Sequence, residues 1–205
     1  MTNNHKKTTN FLYELGTLRK IARSHRQSLL TDDLSDNIAS HSFRVTAIGW
    51  FLAKSEKADP YKVLLMCLFH DSGEARTGDQ NWINKKYVKT YEDEVIKDQL
   101  EGLTVANELL DINREYETRE SLESKLAKDA DLLDQIFLLK EYAWQGNNEA
   151  CRWLEDCEQA KRLFSKTAKQ IAKEAMAQNP SDWWSNSWTG TRRKYLFNHN
   201  KSRTY

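Results

Sequence analysis

The stretch Val63-Leu-Leu-Met-Cys-Leu-Phe-His70-Asp71-Ser-Gly-Glu74-Ala-Arg-Thr-Gly-Asp79 constrains this chain more than any other. Its first seven residues are apolar without a break, so as a helix they are expected to be buried all round. The run then ends in an imidazole and a carboxylate. Burying adjacent ionisable groups is costly unless a metal, an opposite charge or a full set of hydrogen bonds compensates them. A metal fits this pair best, because one nitrogen and one oxygen donor suit Mn, Fe, Co, Ni or Zn better than Ca. Glu74 and Asp79 follow on a turn punctuated by Gly73 and Gly78, so further carboxylates can return toward the same point.

At 205 residues the chain fits one domain with a sizeable core. Two prolines, seven glycines and long stretches of Glu, Lys, Leu, Ala and Gln point to an all-α fold, and strand-like alternation is hard to find. The formal net charge of +1 gives no global field for nucleic acid or an anionic membrane, so neither is an expected partner. Cys67, Cys151 and Cys157 show no metal-type spacing and read as reduced thiols of a cytosolic protein. The polar start, Met1 to Asn10, lacks the apolar segment of a signal peptide, and no run approaches membrane-spanning length. A soluble, cytoplasmic protein is expected. Residues 1–10 read as a flexible N-terminus, 11–180 as one helical body and 181–205 as an aromatic and basic C-terminal arm.

Helical spacing of Phe11, Leu12, Leu15, Leu18, Ile21 and Ala22 predicts a first helix from near Asn10 to near Arg23. The cations at its end either favour a helix C-terminus or, for Arg23, clamp an anion. A second helix carries His41, Val45, Ile48 and Leu52 on one stripe, where His41 is either a packing histidine or a ligand. Asp59-Pro60 then supplies an N-cap and a first-position proline for the helix that ends at His70. A charged helix is expected from about Tyr87 to Glu101, a short one around Val105 to Leu110, and a long one from about Thr118 to Gln145. In the long helix Leu126, Ala130, Leu133 and Phe137 form the core stripe, and Ala127, Asp131, Asp134 and Leu138 flank it. Asp131 therefore points beside the core rather than away from it. One or two helices fill Asn148 to Ala177, and the tail interleaves Trp183, Trp184, Trp188, Tyr195 and Phe197 with arginines and lysines. Such a tail docks onto the body or a second subunit, or stacks on single-stranded nucleic acid.

His41, then His70-Asp71, then Asp131 on separate predicted helices form a four-ligand set that only folding brings together. The pattern resembles the HD-domain metal-dependent phosphohydrolases, whose signature is H…HD…D on a helical bundle. The resemblance rests on His-Ser-Phe-Arg-Val from His41, His-Asp-Ser-Gly-Glu-Ala-Arg-Thr-Gly-Asp from His70, and Lys-Asp-Ala-Asp-Leu-Leu-Asp from Lys128, in that order. It covers roughly Leu12 to Leu163 and is strongest toward the small bacterial 5'-deoxynucleotidases, which remove phosphate from nucleoside monophosphates.

That resemblance implies a single-domain HD-type bundle, with His41, His70, Asp71 and Asp131 as ligands to one divalent ion among Mn, Co, Fe, Ni, Zn or Mg. It makes Glu74 and Asp79 the catalytic carboxylates, Glu74 orienting or deprotonating a metal-bound water, Asp79 holding that network or protonating the leaving oxygen. Arg23 matches a substrate-side arginine, with Lys85 and Lys128 as further substrate contacts. Where the best-known deoxynucleotidases follow that arginine with a tryptophan, this chain has Ser24, which leaves more room at the sugar. The histidines outside the set are His5, His25 and His199, so none between the HD pair and Asp131 builds a second metal site. The implied activity is a 5'-nucleotidase-type phosphoric monoester hydrolase acting on a nucleotide substrate, in a family that is often homodimeric. The alternatives are a nucleoside triphosphate hydrolase of the same fold, or a non-catalytic module that binds nucleic acid through the C-terminal arm.

Overall fold

The computed structural model describes residues 2–185, and among them the chain is built from helices with no strand. Helix α1 (Thr2–Leu15) runs into a 3-10 turn at Gly16–Lys20, followed by α2 (Arg26–Leu29). Then come α3 (Ile38–Glu56) and α4 (Pro60–Phe69), three shorter helices α5 (Glu74–Thr77), α6 (Trp82–Tyr87) and α7 (Glu92–Leu100), and α8 (Ala106–Thr118). The longest, α9 (Leu122–Trp144), precedes α10 (Asn148–Asp156), α11 (Glu158–Lys161), α12 (Lys166–Ala177) and α13 (Asp182–Ser185).

Local chemistry explains the main boundaries. Asp59 caps α4 by accepting from the N–H groups of Tyr61 and Lys62, with Pro60 at the first position, as its sequence predicts. Asn37, Ser121 and Ser165 cap α3, α9 and α12 in the same way. Buried Asp129 accepts from the backbone N–H groups of Phe164 and Ser165 at 2.7 and 2.8 Å, which ties the start of α12 to the middle of α9.

Packing centres on α9, which touches α3, α4, α8, α10, α11 and α12. Val45, Ile48 and Leu52 of α3, Val63, Met66 and Cys67 of α4, and Leu126, Ala130, Leu133 and Ile136 of α9 share one core with Ala168 and Ala172 of α12. Each fully buried leucine or isoleucine there contributes about 1.5–3 kcal/mol relative to exposure. At Gly49 the α3 and α4 backbones approach so closely that an added Cβ would meet Cys67 Sγ at 2.5 Å. That contact holds the His41 helix against the His70 helix.

Several expectations need correction. The first helix begins at Thr2 rather than near Asn10, replacing the expected flexible start, because Lys7 Nζ reaches the Glu101 carbonyl and Asn4 donates to Thr104. It also stops at Leu15, and Ile21 is extended. The apolar run of α4 is not buried all round: Leu68 is 46% exposed, since neighbours cover only part of the helix circumference. The expected Tyr87–Glu101 helix is Glu92–Leu100, with Trp82–Tyr87 a separate helix whose Asn81 forms a capping box with Asn84. The short helix near Val105 extends to Thr118, ends in the left-handed backbone of Arg119, and so delays the long helix to Leu122. Asn148 to Ala177 holds three helices, the breaks falling at the left-handed Cys157 and between Lys161 and Lys166. Most of the aromatic and basic arm, from Asn186 on, lies outside the described residues. Cys67, Cys151 and Cys157 are free thiols. Among the described residues no helix is long and apolar enough to cross a membrane.

Candidate metal centre

Three elements converge where α3, α4 and α9 meet. His41 enters from the first turn of α3, His70 caps the C-terminus of α4 with Asp71 next to it, and Asp131 comes from α9. Ligand-capable atoms of His41, His70 and Asp71 all lie within 4.8 Å of one another. His70 Nε2 stands 3.1 Å and His41 Nε2 3.4 Å from Asp71 Oδ2. Asp131 meets the group at its edge, with Oδ1 3.4 Å from His41 Nε2 while Oδ2 accepts from Lys128 Nζ at 2.6 Å.

Hydrogen bonding fixes how the two imidazoles present themselves. His41 Nδ1 meets Asp134 Oδ2 at 2.6 Å, and His70 Nδ1 meets the Cys67 carbonyl at 2.9 Å. Both partners only accept, so both Nδ1 atoms carry hydrogen and, in the neutral rings, both Nε2 lone pairs face inward. Those Nε2 atoms are 3.3 Å apart. Two lone pairs at that distance repel unless a cation lies between them, and the spacing suits two nitrogens each about 2.1 Å from one ion. The donor set of two imidazole nitrogens and one or two carboxylates therefore fits a divalent transition metal.

Electrostatics agrees with that fit. Burial would drive the Asp71 carboxyl up, but His70 and His41 outweigh it and hold it well below the ordinary carboxylate range. For Asp131 the same opposition is won by Lys128, His41 and His70. Burial and Arg23 disfavour the charged form of His41, yet Asp131, Asp134 and Asp71 raise its pKa well above the usual value. The site is built to hold positive charge.

Asp134 and Arg44 were not among the residues assigned from sequence. Arg44 Nε donates to Asp134 Oδ1 at 2.5 Å and Nη1 donates to Glu141 Oε1 at 2.6 Å, so Asp134 is fixed from behind while it orients His41. The signal was present in the spacing: Arg44 lies one helical turn after His41, and Asp134 one turn after Asp131. Carboxylates behind ligating histidines set ring orientation and raise ligand basicity, and losing one costs about 10–100-fold in metal affinity. Asp134→Asn is expected to weaken Mn²⁺ binding by that factor in a chelator-competition titration. Unchanged affinity would reduce Asp134 to a packing role.

A cavity of about 730 Å³ opens over the cluster and is lined by Arg23, Ser24, Glu74, Asp79, Lys85 and Lys128 together with other residues. Glu74 begins α5, just past the turn that ends α4, and its Oε2 is buried without a hydrogen-bond partner. Burial first, then the charges of Asp71 and Asp79, push its carboxyl up to about 9. Arg23 follows an extended segment pinned to the start of α3 by the isolated Ala22–Asn37 bridge, with Arg23 N–H donating to the Asp36 carbonyl at 3.0 Å. Its guanidinium lies 3.9 Å from Asp71 and 3.5 Å from Asp79. Burial opposes its charge, but Asp71, Asp79, Asp131 and Glu74 outweigh burial and raise its pKa.

Asp79 lines the same cavity and is tied to the backbone next to Arg23. Its Oδ2 accepts from the Ser24 backbone N–H at 2.6 Å and from the Ser24 hydroxyl at 3.0 Å, which clamps the segment bearing Arg23. Lys85 is exposed at the cavity rim, and Lys128 is paired with Asp131.

Comparison with known proteins places these features in context. A family model for the HD domain matches residues 15–173. The 5'-deoxynucleotidase HDDC2 of Dictyostelium discoideum is 30% identical over 125 residues, an overlap of 55% of this chain and 66% of that protein, just under two thirds of its length. Among solved structures, a protein from Pyrococcus horikoshii OT3 is 26% identical with a TM-score of 0.69, over 82% of this chain and 97% of that one. A predicted metal-dependent phosphohydrolase from Magnetospirillum magnetotacticum MS-1 is also 26% identical, with a TM-score of 0.58 over 85% and 96% of the two chains.

Proposed function

This chain belongs to the HD-domain family of metal-dependent phosphohydrolases, and from that premise we propose that it removes the 5'-phosphate from nucleoside and deoxynucleoside monophosphates. One observation carries the reading. A nitrogen and oxygen donor cluster shares its cavity with a buried guanidinium, Arg23, whose Nε and Nη1 have no hydrogen-bond partner. A cluster suited to a divalent cation beside open guanidinium donors is chemistry for a phosphoryl group.

His41, His70 and Asp71, with Asp131 beside them, would hold the ion. When bound, it supplies Lewis acidity and lowers the pKa of water toward about 7. The chain's own residues then divide the remaining work. Arg23 neutralises and orients the phosphoryl oxygens, and Asp79 fixes Arg23 through Ser24. Glu74, with a buried and unpartnered carboxylate oxygen, takes a proton from the attacking water. As the water oxygen bonds to phosphorus the P–O5' bond breaks, and the 5'-oxygen leaves as the nucleoside hydroxyl on taking up the proton that Glu74 accepted from the water.

Two observations support a nucleotide as the substrate. The relative from Dictyostelium discoideum is a 5'-deoxynucleotidase. The cavity, about 730 Å³, falls within the roughly 300–1,000 Å³ usual for small-molecule sites. The decisive assay incubates the protein with Mn²⁺ or Co²⁺ and a panel of nucleoside mono- and triphosphates and identifies the inorganic product. Orthophosphate from monophosphates is the expected result. Tripolyphosphate or pyrophosphate from triphosphates would replace this reading with the triphosphatase one, and no release from any substrate would refute both.

A further inference from the structure

The junction of α8 and α9 brings one more guanidinium to the cavity, that of Arg119, which the roles above leave unused. Its left-handed backbone, φ 56°, is shared with the helix ends at Leu30, Lys57 and Cys157, so the backbone alone assigns it nothing. The side chain is what differs. It turns inward and lies over the ring of Tyr116, Cζ 3.4 Å from the ring centre. Tyr116 is itself buried, and its ring centre is 5.4 Å from that of His70. Arg119 thus covers one aromatic ring that in turn packs, tilted by 57°, against a residue of the donor cluster.

Its hydrogen-bonding state points to a ligand. Arg119 Nη1 is buried and has no partner, and the carboxylate paired with Nη2, that of Glu117, is 4.0 Å away on a half-exposed side chain. Lys128 differs, being engaged by Asp131 at 2.6 Å, whereas Arg23 shares the feature of unpartnered buried donors but has two carboxylates, Asp71 and Asp79, at 3.9 and 3.5 Å. A buried guanidinium N–H without an acceptor is costly, and the acceptor that best matches a planar, charged fork is an anionic oxygen. The face of Tyr116 is already covered by the guanidinium, so what this wall offers the cavity is donors and charge.

The geometry points to Arg119 as a second phosphate-binding residue, donating to a non-bridging oxygen of the substrate's phosphoryl group from the α8 side. The inference rests on the phosphohydrolase reading for the identity of the ligand, and on the guanidinium lying over Tyr116 with its Nη1 unpartnered for the residue. Arg119 binds the phosphoryl group directly, in the ground state as well as during transfer, so its loss raises KM and weakens the product phosphate together.

The test is calorimetric titration of the Mn²⁺-loaded protein with inorganic phosphate and, separately, with a phosphate-free nucleoside. Arg119→Gly suits the left-handed backbone and should keep the thermal midpoint close to that of the native protein. Arg119→Gln serves if the glycine variant does not fold. Phosphate affinity is expected to fall about tenfold or more, as for a lost charge-assisted hydrogen bond, with Arg119→Lys in between and nucleoside affinity unchanged. Unchanged phosphate affinity, no phosphate binding by the native protein, or a loss confined to the nucleoside would each overturn the assignment. Arg119-dependent phosphate binding in a protein that hydrolyses no nucleotide would sink the nucleotidase reading and leave this one standing.

Discussion

Glu74→Gln is expected to keep its metal ion and to lose on the order of 10²-fold or more of its turnover, the usual contribution of a general base. The physical case rests on where the chain breaks. Phe69 ends α4, His70 to Gly73 form a turn, and Glu74 opens the four-residue helix α5, so Glu74 sits over the cavity while His70 and Asp71 stay in the cluster. Glu74 is not among the three residues whose ligand atoms lie within 4.8 Å of one another, and unlike Asp131, which stands 3.4 Å from His41 Nε2, it has no ion pair with the cluster histidines. Burial and the charges of Asp71 and Asp79 push its carboxyl up to about 9, and a divalent cation in the cluster acts against that rise. A general base works deprotonated, so native turnover should climb with pH through the Glu74 ionisation and level off above it. The glutamine variant should lose that climb along with most of the rate. Elemental analysis and a pH profile of kcat decide the matter. A fully active variant would remove Glu74 from the chemistry, and a variant unable to retain metal would make it a ligand.

What could be read from the chain divides along a physical line. Features that depend on neighbours within one or two helical turns were legible. Asp59-Pro60 announces α4, the stripe of His41, Val45, Ile48 and Leu52 is buried, and the Ser72-Gly73 turn separates His70 from Glu74. Features set by partners distant in sequence were not. The early start of α1 depends on Lys7 reaching the turn at Glu101, and the partial exposure of Leu68 depends on which faces of α4 its neighbours leave open. Asp79 meets Ser24 across 55 positions, a pairing that no local pattern encodes. Asp134 lies between these cases. Its helical spacing from Asp131 was visible, whereas its hydrogen bond to His41 spans 93 positions and exists only in the folded chain. Arg119 carried no sequence signal, because a charged residue at a helix end is ordinarily solvated.

Asp71→Ala is expected to abolish metal retention and phosphate release together, because Asp71 Oδ2 is the atom on which the site converges. It lies 3.1 Å from His70 Nε2, 3.4 Å from His41 Nε2 and 3.9 Å from Arg23 Nη1. Without it the cluster loses its central anionic donor, and the buried Arg23 guanidinium keeps only Asp79 as a nearby ion-pair partner. Two neutral imidazoles and an Asp131 already shared with Lys128 make a poor site for a divalent ion. Stability provides a readout independent of turnover. A ligand present at 100 times its Kd stabilises the native state by about 2.7 kcal/mol, which for a chain of this size is a Tm rise of about 5–10 °C. Native protein should show that rise on adding Mn²⁺, and Asp71→Ala should show none. Asp131→Ala is expected to lose metal and activity as well, but it frees Lys128 and leaves the His70–Asp71 pair intact, so its metal-free form should differ less from the native metal-free protein. An Asp71→Ala protein that still binds one equivalent of metal with an undiminished Tm rise would move the anionic ligand role to Asp131 and Glu74.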